Sequence, residues 1–159
     1  MASHANSMHK LIKLPATGSS SSYGVTAWDQ QGETHVCQIF VSYTAANLRS
    51  RISARINGLQ FQYVKGNHSF TYSDMSNVFG QLSGTRFHAV KLDYPREYLT
   101  CVTIYGNATG IALKTNLGKT HGPFGNVGDP TACFCLGDEN QFGGFHGAAD
   151  SWGICSYPA

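Results

Sequence analysis

Short apolar or alternating segments, separated by turn residues, dominate the pattern of hydrophobic and polar positions along this chain. Val36 to Tyr43 is an apolar run rich in β-branched and aromatic residues, which predicts a well-buried strand. Turn residues recur at intervals of roughly eight to twelve residues, a cadence typical of an all-β sandwich, barrel or prism. The other predicted strands are His9 to Leu14, Leu48 to Ile56, Ser69 to Tyr72, Phe87 to Asp93, Tyr98 to Tyr105, Gly110 to Thr115, Thr131 to Leu136 and Ser151 to Tyr157.

The segment Leu48 to Ile56 fits two periodicities. Leu48, Ile52 and Ile56 have the spacing of a helix, but the segment also alternates between apolar or small residues and polar ones. From Leu59 onward the apolar residues change to odd positions, a phase change that a hairpin or bulge at Gly58 produces and a continuing helix does not. We therefore predict a strand here, followed by a hairpin or bulge.

Composition and charge agree with a single all-β domain. The chain has 159 residues with 18 Gly, 8 Tyr and 9 Phe and only 13% charged residues, which favours short strands joined by glycine-rich turns. The formal net charge of +2 is too small to indicate a nucleic-acid partner. Arg49, Arg51 and Arg55 form a basic stripe that we interpret as a solvated strand face.

The N-terminal residues and the cysteines bear on the cellular compartment. Met1 to Ser7 is polar with no apolar run behind it, so we expect no signal peptide, no membrane insertion and a cytoplasmic location, with the nucleus as a second compartment. The chain has five cysteines, an odd number. We expect all of them to be free thiols, because Cys133 and Cys135 are separated by nearly the longest distance that a disulfide spans.

Zinc ligation is the alternative for two of these cysteines. Cys133 and Cys135 could bind zinc together with His121 or His146. The single residue between the two cysteines is shorter than the usual ligand spacing, so we interpret both as small buried hydrophobic residues. We expect no metal and no cofactor.

A carboxylate among small residues near the C-terminus is the main candidate for binding chemistry. Gly147, Ala148 and Ala149 leave their backbone N–H groups uncovered beside Asp150, whose carboxylate can accept from two adjacent hydroxyls. Trp152 or Tyr157 could cover an apolar sugar face. This corner suits a hydroxyl-rich ligand; the alternative is that Asp150 caps a turn before the final strand.

Four stretches in the same order resemble the jacalin-related plant lectins, especially the mannose-type members of grasses, and the resemblance runs from about Lys10 to Tyr157. They are Ala27-Trp28-Asp29, Lys91 to Thr100, Leu113 to Gly125, and Gly144-Phe145-His146-Gly147 followed by Asp150-Ser151-Trp152-Gly153.

This resemblance implies a fold, a domain organisation and a site. The fold is an all-β prism, β-prism I, of three four-stranded Greek-key sheets, in a lectin domain at residues 10–159 that follows a flexible segment at residues 1–9. Asp150 is the implied carboxylate beside the donor amides, the first loop makes contact near Tyr23 and Gly24, and the loop Gly106 to Thr109 forms a third wall. The implied carbohydrate-binding residues are Gly147, Ala148, Ala149, Asp150, Tyr23, Gly24, Asn107 and Ala108.

Two loops depart from the family pattern. Only Ala148 and Ala149 separate Gly147 from Asp150, fewer residues than the family usually has. The expected Gly-Gly-x-Gly-Gly of the first loop is replaced by Gly18 to Val25, which is rich in serine. A pocket built from backbone amides tolerates little displacement, so these changes predict weakened or altered sugar binding.

The leading hypothesis is a non-catalytic lectin for mannose- or glucose-type glycans, active in plant stress or defence. A homodimer or a multivalent glycan would supply avidity, because a single monosaccharide site binds weakly. The alternative is a jacalin-fold protein-interaction module with weakened or lost sugar binding. We do not predict an enzyme, since the carboxylates are scattered and no nucleophile lies in a recognisable elbow or triad order.

Overall fold

The computed structural model describes residues 12–18, 27–31, 35–65, 71–137, 142–148 and 151–156. The predicted flexible segment at residues 1–9 lies outside these ranges. All the regular structure within them is β: β1 (Ile12–Lys13), β2 (Thr17–Gly18), β3 (Trp28–Gln31), β4 (Val36–Thr44), β5 (Arg55–Lys65), β6 (Thr71–Tyr72), β7 (Phe79–Gly80), β8 (Arg86–Lys91), β9 (Leu99–Tyr105), β10 (Gly110–Thr115), β11 (Thr120–Gly125), β12 (Pro130–Cys135), β13 (Phe142–Ala148) and β14 (Ser151–Ser156). Within the described ranges, no helix is long and apolar enough to cross a membrane.

The strands form three antiparallel sheets, each with a path of four neighbouring strands. The first sheet has the order β1-β14-β13-β3, the second β11-β10-β9-β12 and the third β6-β5-β4-β8. In the second and third sheets the fourth strand returns to lie beside the first, which is the Greek-key arrangement. The predicted prism of three four-stranded Greek-key sheets is confirmed, with two short additions: β2 pairs with β14 and β7 pairs with β5.

Buried side chains from all three sheets meet in one core. Successive side chains of a strand point to opposite faces, so the inward set of each sheet faces the inward sets of the others. The rings of Phe61 on β5 and Phe145 on β13 stack with centroids 4.5 Å apart. Tyr43 on β4 contacts Phe124 on β11 with centroids 5.4 Å apart. These ring contacts join the third sheet to the first and to the second.

The prediction of a strand over Leu48 to Ile56 is wrong. The chain turns at 48–51, and Asn47 pairs with Ile52 in an isolated antiparallel bridge. The side-chain oxygen of Asn47 accepts hydrogen bonds from the backbone N–H groups of Arg49 and Ser50 at 3.0 and 3.3 Å. An Asn side chain that binds the backbone ahead of it favours a turn over a strand. The arginines of this segment are exposed as predicted, although only Arg55 belongs to a strand.

The predicted irregularity at Gly58 is a bulge. β5 runs without interruption across this point, and the pairing shifts between Tyr43↔Ile56 and Ser42↔Gly58, which leaves Asn57 as the extra residue. A side chain at position 58 would place its Cβ 2.6 Å from the backbone oxygen of Gln81. Glycine is therefore required here by the close approach of the backbone at Gln81, directly after β7.

The prediction of five free thiols is also wrong. Cys101 on β9 and Cys135 on β12 form a disulfide with a Cα–Cα distance of 4.2 Å. The two residues lie directly opposite each other in the β9–β12 pairing, which brings their sulfurs within bonding distance. Cys37 is a buried free thiol and Cys133 an exposed one, so Cys133 and Cys135 are not the buried pair that the sequence suggested.

A buried carboxylate fixes the connection between β8 and β9. The side chain of Glu97 is 2% exposed, accepts hydrogen bonds from Asp93 N and Thr115 Oγ1, and pairs with Lys119. Burial by itself raises the pKa of Glu97. The hydrogen bonds from Asp93, Lys119 and Thr115 and the positive charge of Lys119 lower it by more than burial raises it, so the pKa of Glu97 lies below its ordinary value.

We expect this carboxylate to make the protein less stable in acid. Because its folded pKa is lowered, its stabilising contribution is present above the ordinary value of 4.5 and is lost as the pH falls below that value through the folded pKa. The Lys119 side chain is 57% exposed, so water screens that part of the interaction. The urea midpoint of Glu97→Gln should therefore change less between about pH 5.5 and 3 than that of the unmodified chain. The difference corresponds to the contribution of one titrating carboxyl group. Equal pH dependence in the two proteins would contradict this role.

Candidate functional site

The end of the first sheet carries the C-terminal part of the predicted site. Ala148 on β13 pairs with Ser151 on β14, and Gly147 pairs with Trp152. Ala149 and Asp150 join these paired ends and lie outside the described residues. The register alone shows that the chain enters and leaves Ala149-Asp150 at one edge of the first sheet.

The N-terminal part of the predicted site is tied to the same edge. Gly18 on β2 pairs with Ser151, and Trp28 on β3 pairs with Gly147. Both pairings are antiparallel, so the chain leaves the sheet after Gly18 and returns to it at Trp28 on the side where β13 ends and β14 begins. The predicted contacts Tyr23 and Gly24 belong to the intervening segment and lie outside the described residues.

β13 holds this edge against the core. The side chain of Phe145 is fully buried, and Gly147 is buried as well. His146 is 8% exposed, and its Nε2 lies 2.7 Å from the backbone oxygen of Leu14. That contact gives the buried Nε2 a hydrogen-bond partner and links β13 to the segment between β1 and β2.

The predicted third wall is a turn between β9 and β10. Asn107 is exposed, whereas Ala108 is 9% exposed and has a positive φ of 57°. The backbone oxygen of Thr109 accepts from Ile56 N at 2.9 Å and from Asn126 N at 3.0 Å, so the turn is fastened to β5 and to the segment between β11 and β12. These contacts fix the turn. The turn belongs to the second sheet, so the first-sheet pairings that bring the other predicted site segments to one edge do not include Asn107 and Ala108.

Geometry does not support zinc ligation by Cys133 and Cys135 together with His121 or His146. Among the described residues, the one group of potential ligands close enough to share a metal is Cys101, Cys133 and Cys135, and it contains no histidine. His121 lies on β11, where Leu113 is its partner on β10. Burial lowers the pKa of His121, and its buried Nε2 has no hydrogen-bond partner among the described residues.

The sequence did not indicate the roles of Thr17, Gly18 and Trp28 at this edge. Their backbones pair with β13 and β14 and determine where the first loop begins and ends. Trp28 stood in one of the stretches that carry the family resemblance, which was the available signal. The short strand at Thr17–Gly18 has no apolar alternation and could not be found by periodicity.

Comparisons with known proteins agree on one family. Residues 16–156 match the family model of the jacalin-like lectin domain. The chain is 32% identical over 140 residues to Protein RESTRICTED TEV MOVEMENT 1 of Arabidopsis thaliana, an alignment that covers 82% of this chain and 74% of the relative. It is 28% identical over 167 residues to Jacalin-related lectin 2 of the same plant, covering 92% of this chain and 84% of the relative.

Solved structures show the same architecture. The mannose binding lectin from champedak superposes with a TM-score of 0.66, covering 94% of this chain and 98% of that lectin. The two sequences are 24% identical, so this similarity establishes the fold.

Proposed function

Because the chain belongs to the family of jacalin-like lectin domains, we propose that it is a non-catalytic lectin that binds mannose- or glucose-type glycans. We place the sugar site at the edge of the first sheet where β13 ends and β14 begins. The observation that carries this proposal is the register of the first sheet, which attaches both ends of residues 19–27 and both ends of Ala149-Asp150 to that edge.

The chemistry of this edge suits a shallow sugar site. In our proposal the Asp150 carboxylate accepts from two neighbouring hydroxyls, while the amides of Ala148, Ala149 and Asp150 donate to sugar oxygens. Tyr23 and Gly24 provide the opposite wall, and Asn107 and Ala108 provide a third. Each sugar hydroxyl exchanges a contact with water for one with protein, so the affinity of a single site should be modest.

The packing of β13 against the core supports a site built from backbone groups. Gly147 is buried, and the neighbouring His146 ring is held by the Leu14 oxygen. Short hydrogen bonds from backbone amides need positions that are fixed to within about half an ångström, which strands supply better than isolated loops. The similarity to the mannose binding lectin from champedak supports the preference for mannose in this proposal.

We expect Asp150→Ala to weaken binding of a mannose oligomer about 10- to 100-fold, because hydrogen bonds to a charged acceptor contribute about 1.5 to 3 kcal/mol. Isothermal titration calorimetry with a mannose trisaccharide measures this change. Asp74→Ala is the matched control, since Asp74 is an exposed aspartate in the segment between β6 and β7 of the third sheet. If the two variants bind mannose equally well, Asp150 is not the sugar ligand.

A protein-interaction module without sugar binding is the second function that we consider. The relative with 32% identity is named for restricted TEV movement and not for a sugar. The short link between Gly147 and Asp150 also leaves few backbone donors for a ligand. Absence of binding to mannose, glucose and galactose ligands on a glycan array, by protein that unfolds cooperatively, would favour this function over the first.

Our proposal also includes a cellular setting. We propose a role in plant stress or defence, a cytoplasmic and nuclear location, and a homodimer whose paired sites give avidity for branched glycans. Imaging of a fluorescent fusion tests the location, and light scattering coupled to size-exclusion chromatography tests the dimer. We propose no enzymatic activity; turnover of aryl glycosides that falls in Asp150→Asn would contradict this.

A further inference from the structure

Three cysteine sulfurs converge on the second sheet, on residues that the proposed sugar site does not use. The sulfur atoms of Cys101, Cys133 and Cys135 all lie within 4.8 Å of one another. Cys101 and Cys135 form the disulfide, and the Sγ atoms of Cys133 and Cys135 are 3.3 Å apart. The free thiol of Cys133 therefore touches the disulfide directly.

Strand geometry explains the convergence. Cys133 and Cys135 are two residues apart on β12, so their side chains leave the same face of the sheet. Cys101 lies opposite Cys135 on β9, and its side chain joins them on that face. The intervening residues Val102 and Phe134 pack into the core, which identifies the cysteine face as the outer one.

The cluster is open to solvent. Cys133 and Cys135 are exposed, and Cys101 is half-buried. Cys37 provides the contrast: it is buried, its Sγ donates to the backbone oxygen of Gln62 at 3.3 Å, and desolvation raises its pKa to about 11. Thiol chemistry on this protein should therefore occur first at the cluster and not at Cys37.

The same three sulfurs suit a soft metal ion once the disulfide is opened. Zinc binds cysteine sulfur at about 2.3 Å in tetrahedral geometry, which places two sulfurs of one site roughly 3.8 Å apart. At present Cys101 and Cys135 are bonded, the sulfurs of Cys133 and Cys135 are 3.3 Å apart, and all three sulfurs lie within 4.8 Å of one another. Once the disulfide is open, small side-chain rotations would therefore bring three sulfurs to one ion. The fourth position would face solvent and would hold water or an external thiol.

We propose that Cys101, Cys133 and Cys135 form a redox-gated site for a thiophilic divalent d10 cation such as zinc or cadmium. A dithiol reductant opens the gate: it donates two electrons and two protons to the Cys101–Cys135 disulfide, yields two thiols and becomes a disulfide itself. The three thiols then lose three protons and bind the cation as thiolates. The reverse step closes the site: a disulfide oxidant takes two electrons from Cys101 and Cys135, their sulfurs bond again, the oxidant becomes a dithiol, and the cation is released because Cys133 is then the sole thiolate donor of the three.

Two groups beside the cluster complement the negative charge that it carries in the metal-bound state. Lys114 lies opposite Cys101 across the β9–β10 pairing and is exposed. A lysine at that position places positive charge beside sulfurs that carry a net negative charge when they bind a divalent ion. Thr103 Oγ1 lies 3.5 Å from the Cys133 sulfur and can donate to its thiolate.

Cadmium titration of the reduced and oxidised protein tests the site, because the sulfur-to-cadmium charge-transfer band reports thiolate ligation. We expect one cadmium ion per chain in the reduced protein and no band in the oxidised one. Cys133→Ser leaves the disulfide pair intact but should lower the cadmium affinity of the reduced protein at least tenfold. Cys37→Ser and Cys155→Ser are the controls and should bind cadmium like the unmodified chain.

Thermal unfolding tests the site even if reduction destabilises the fold. Binding to the folded state raises the melting temperature with metal concentration, so zinc should raise that of the reduced protein and leave that of reduced Cys133→Ser nearly unchanged. Equal cadmium affinity in Cys133→Ser, a thiolate band in the oxidised protein, or a reduced protein that zinc does not refold or stabilise would each overturn the proposal. The sugar site is tested separately, so loss of one leaves the other standing.

Discussion

Replacing Phe145 by alanine is expected to lower the free energy of unfolding by about 3 to 5 kcal/mol, the usual cost of removing a buried phenyl ring. Phe145 is fully buried on β13, and its ring stacks on that of Phe61 on β5 at 4.5 Å with an interplanar angle of 8°. The substitution removes this ring contact between the first and third sheets and leaves a cavity between them. Urea denaturation followed by tryptophan fluorescence measures the loss.

The same substitution should affect the proposed sugar site through β13. Gly147 and Ala148 follow Phe145 on this strand, so a strand that no longer packs on Phe61 will hold the site edge less firmly. Phe87→Ala is the control, because Phe87 is 51% exposed on β8 and contacts Phe40 at 6.1 Å between ring centroids. We expect it to cost less than about 1 kcal/mol. If Phe145→Ala costs no more than Phe87→Ala, the contact between the sheets is not a main source of stability.

Apolar periodicity predicted the long strands well. Val36–Thr44, Leu99–Tyr105 and Gly110–Thr115 were each predicted to within one residue, because they contain continuous β-branched, aromatic or aliphatic residues. Such runs fit a pleated, buried surface wherever the strand pairs. The all-β class therefore follows from local chemistry, while the three-sheet arrangement came from the family resemblance.

Strands rich in glycine and polar residues could not be predicted from the pattern. β11 has the sequence Thr-His-Gly-Pro-Phe-Gly, and β13 has four small residues among its seven. Glycine has low strand propensity and offers no side chain to pack, so only the pairing with neighbouring strands makes these segments extended. At Leu48 to Ile56 the opposite occurred, because Asn47 captured the backbone locally and a plausible alternation formed a turn.

The candidate sugar site was predictable in part for a similar reason. Small residues beside a carboxylate indicated where polar ligands could approach, and the family pattern joined Asp150 to the first loop. Strand register determines at which edge of the sheet each loop begins and ends. The pairings of Gly18 with Ser151 and of Trp28 with Gly147 cannot be predicted from the local sequence. Sequence therefore supplied the residues of the site, and topology supplies their common edge.

Register also explains why the disulfide was missed. Spacing along one strand suggested Cys133 and Cys135 as the pair to consider, and that pair is poorly placed for bonding. Cys101 becomes the partner of Cys135 only when β9 and β12 are aligned with these residues opposite each other. Two residues separated by 34 positions carry no sequence signal of that alignment.

Removing this cross-link is expected to lower the free energy of unfolding by about 2 to 4 kcal/mol. The disulfide closes a loop with a sequence separation of 34 residues and so restricts the unfolded chain. Cys101→Ser/Cys135→Ser is the variant to use, because either single substitution would leave a second free thiol beside Cys133. Cys101→Ser leaves the Cys135 thiol 3.3 Å from the Cys133 sulfur, and Cys135→Ser leaves the Cys101 thiol within 4.8 Å of it. Its urea midpoint should fall well below that of the unmodified oxidised protein.

Cys133→Ser provides the matched control, since Cys133 is an exposed free thiol on the same face and the substitution keeps the cross-link. We expect a change within about 0.5 kcal/mol for this variant. Reducing agent should lower the stability of Cys133→Ser and leave that of the double variant unchanged, because only the former still has a disulfide to lose. A double variant as stable as Cys133→Ser under oxidising conditions would show that the cross-link does not restrain the unfolded chain. A loss of about 2 to 4 kcal/mol is smaller than the stability of a typical domain, so we expect the reduced protein to stay folded, as the proposed metal site requires.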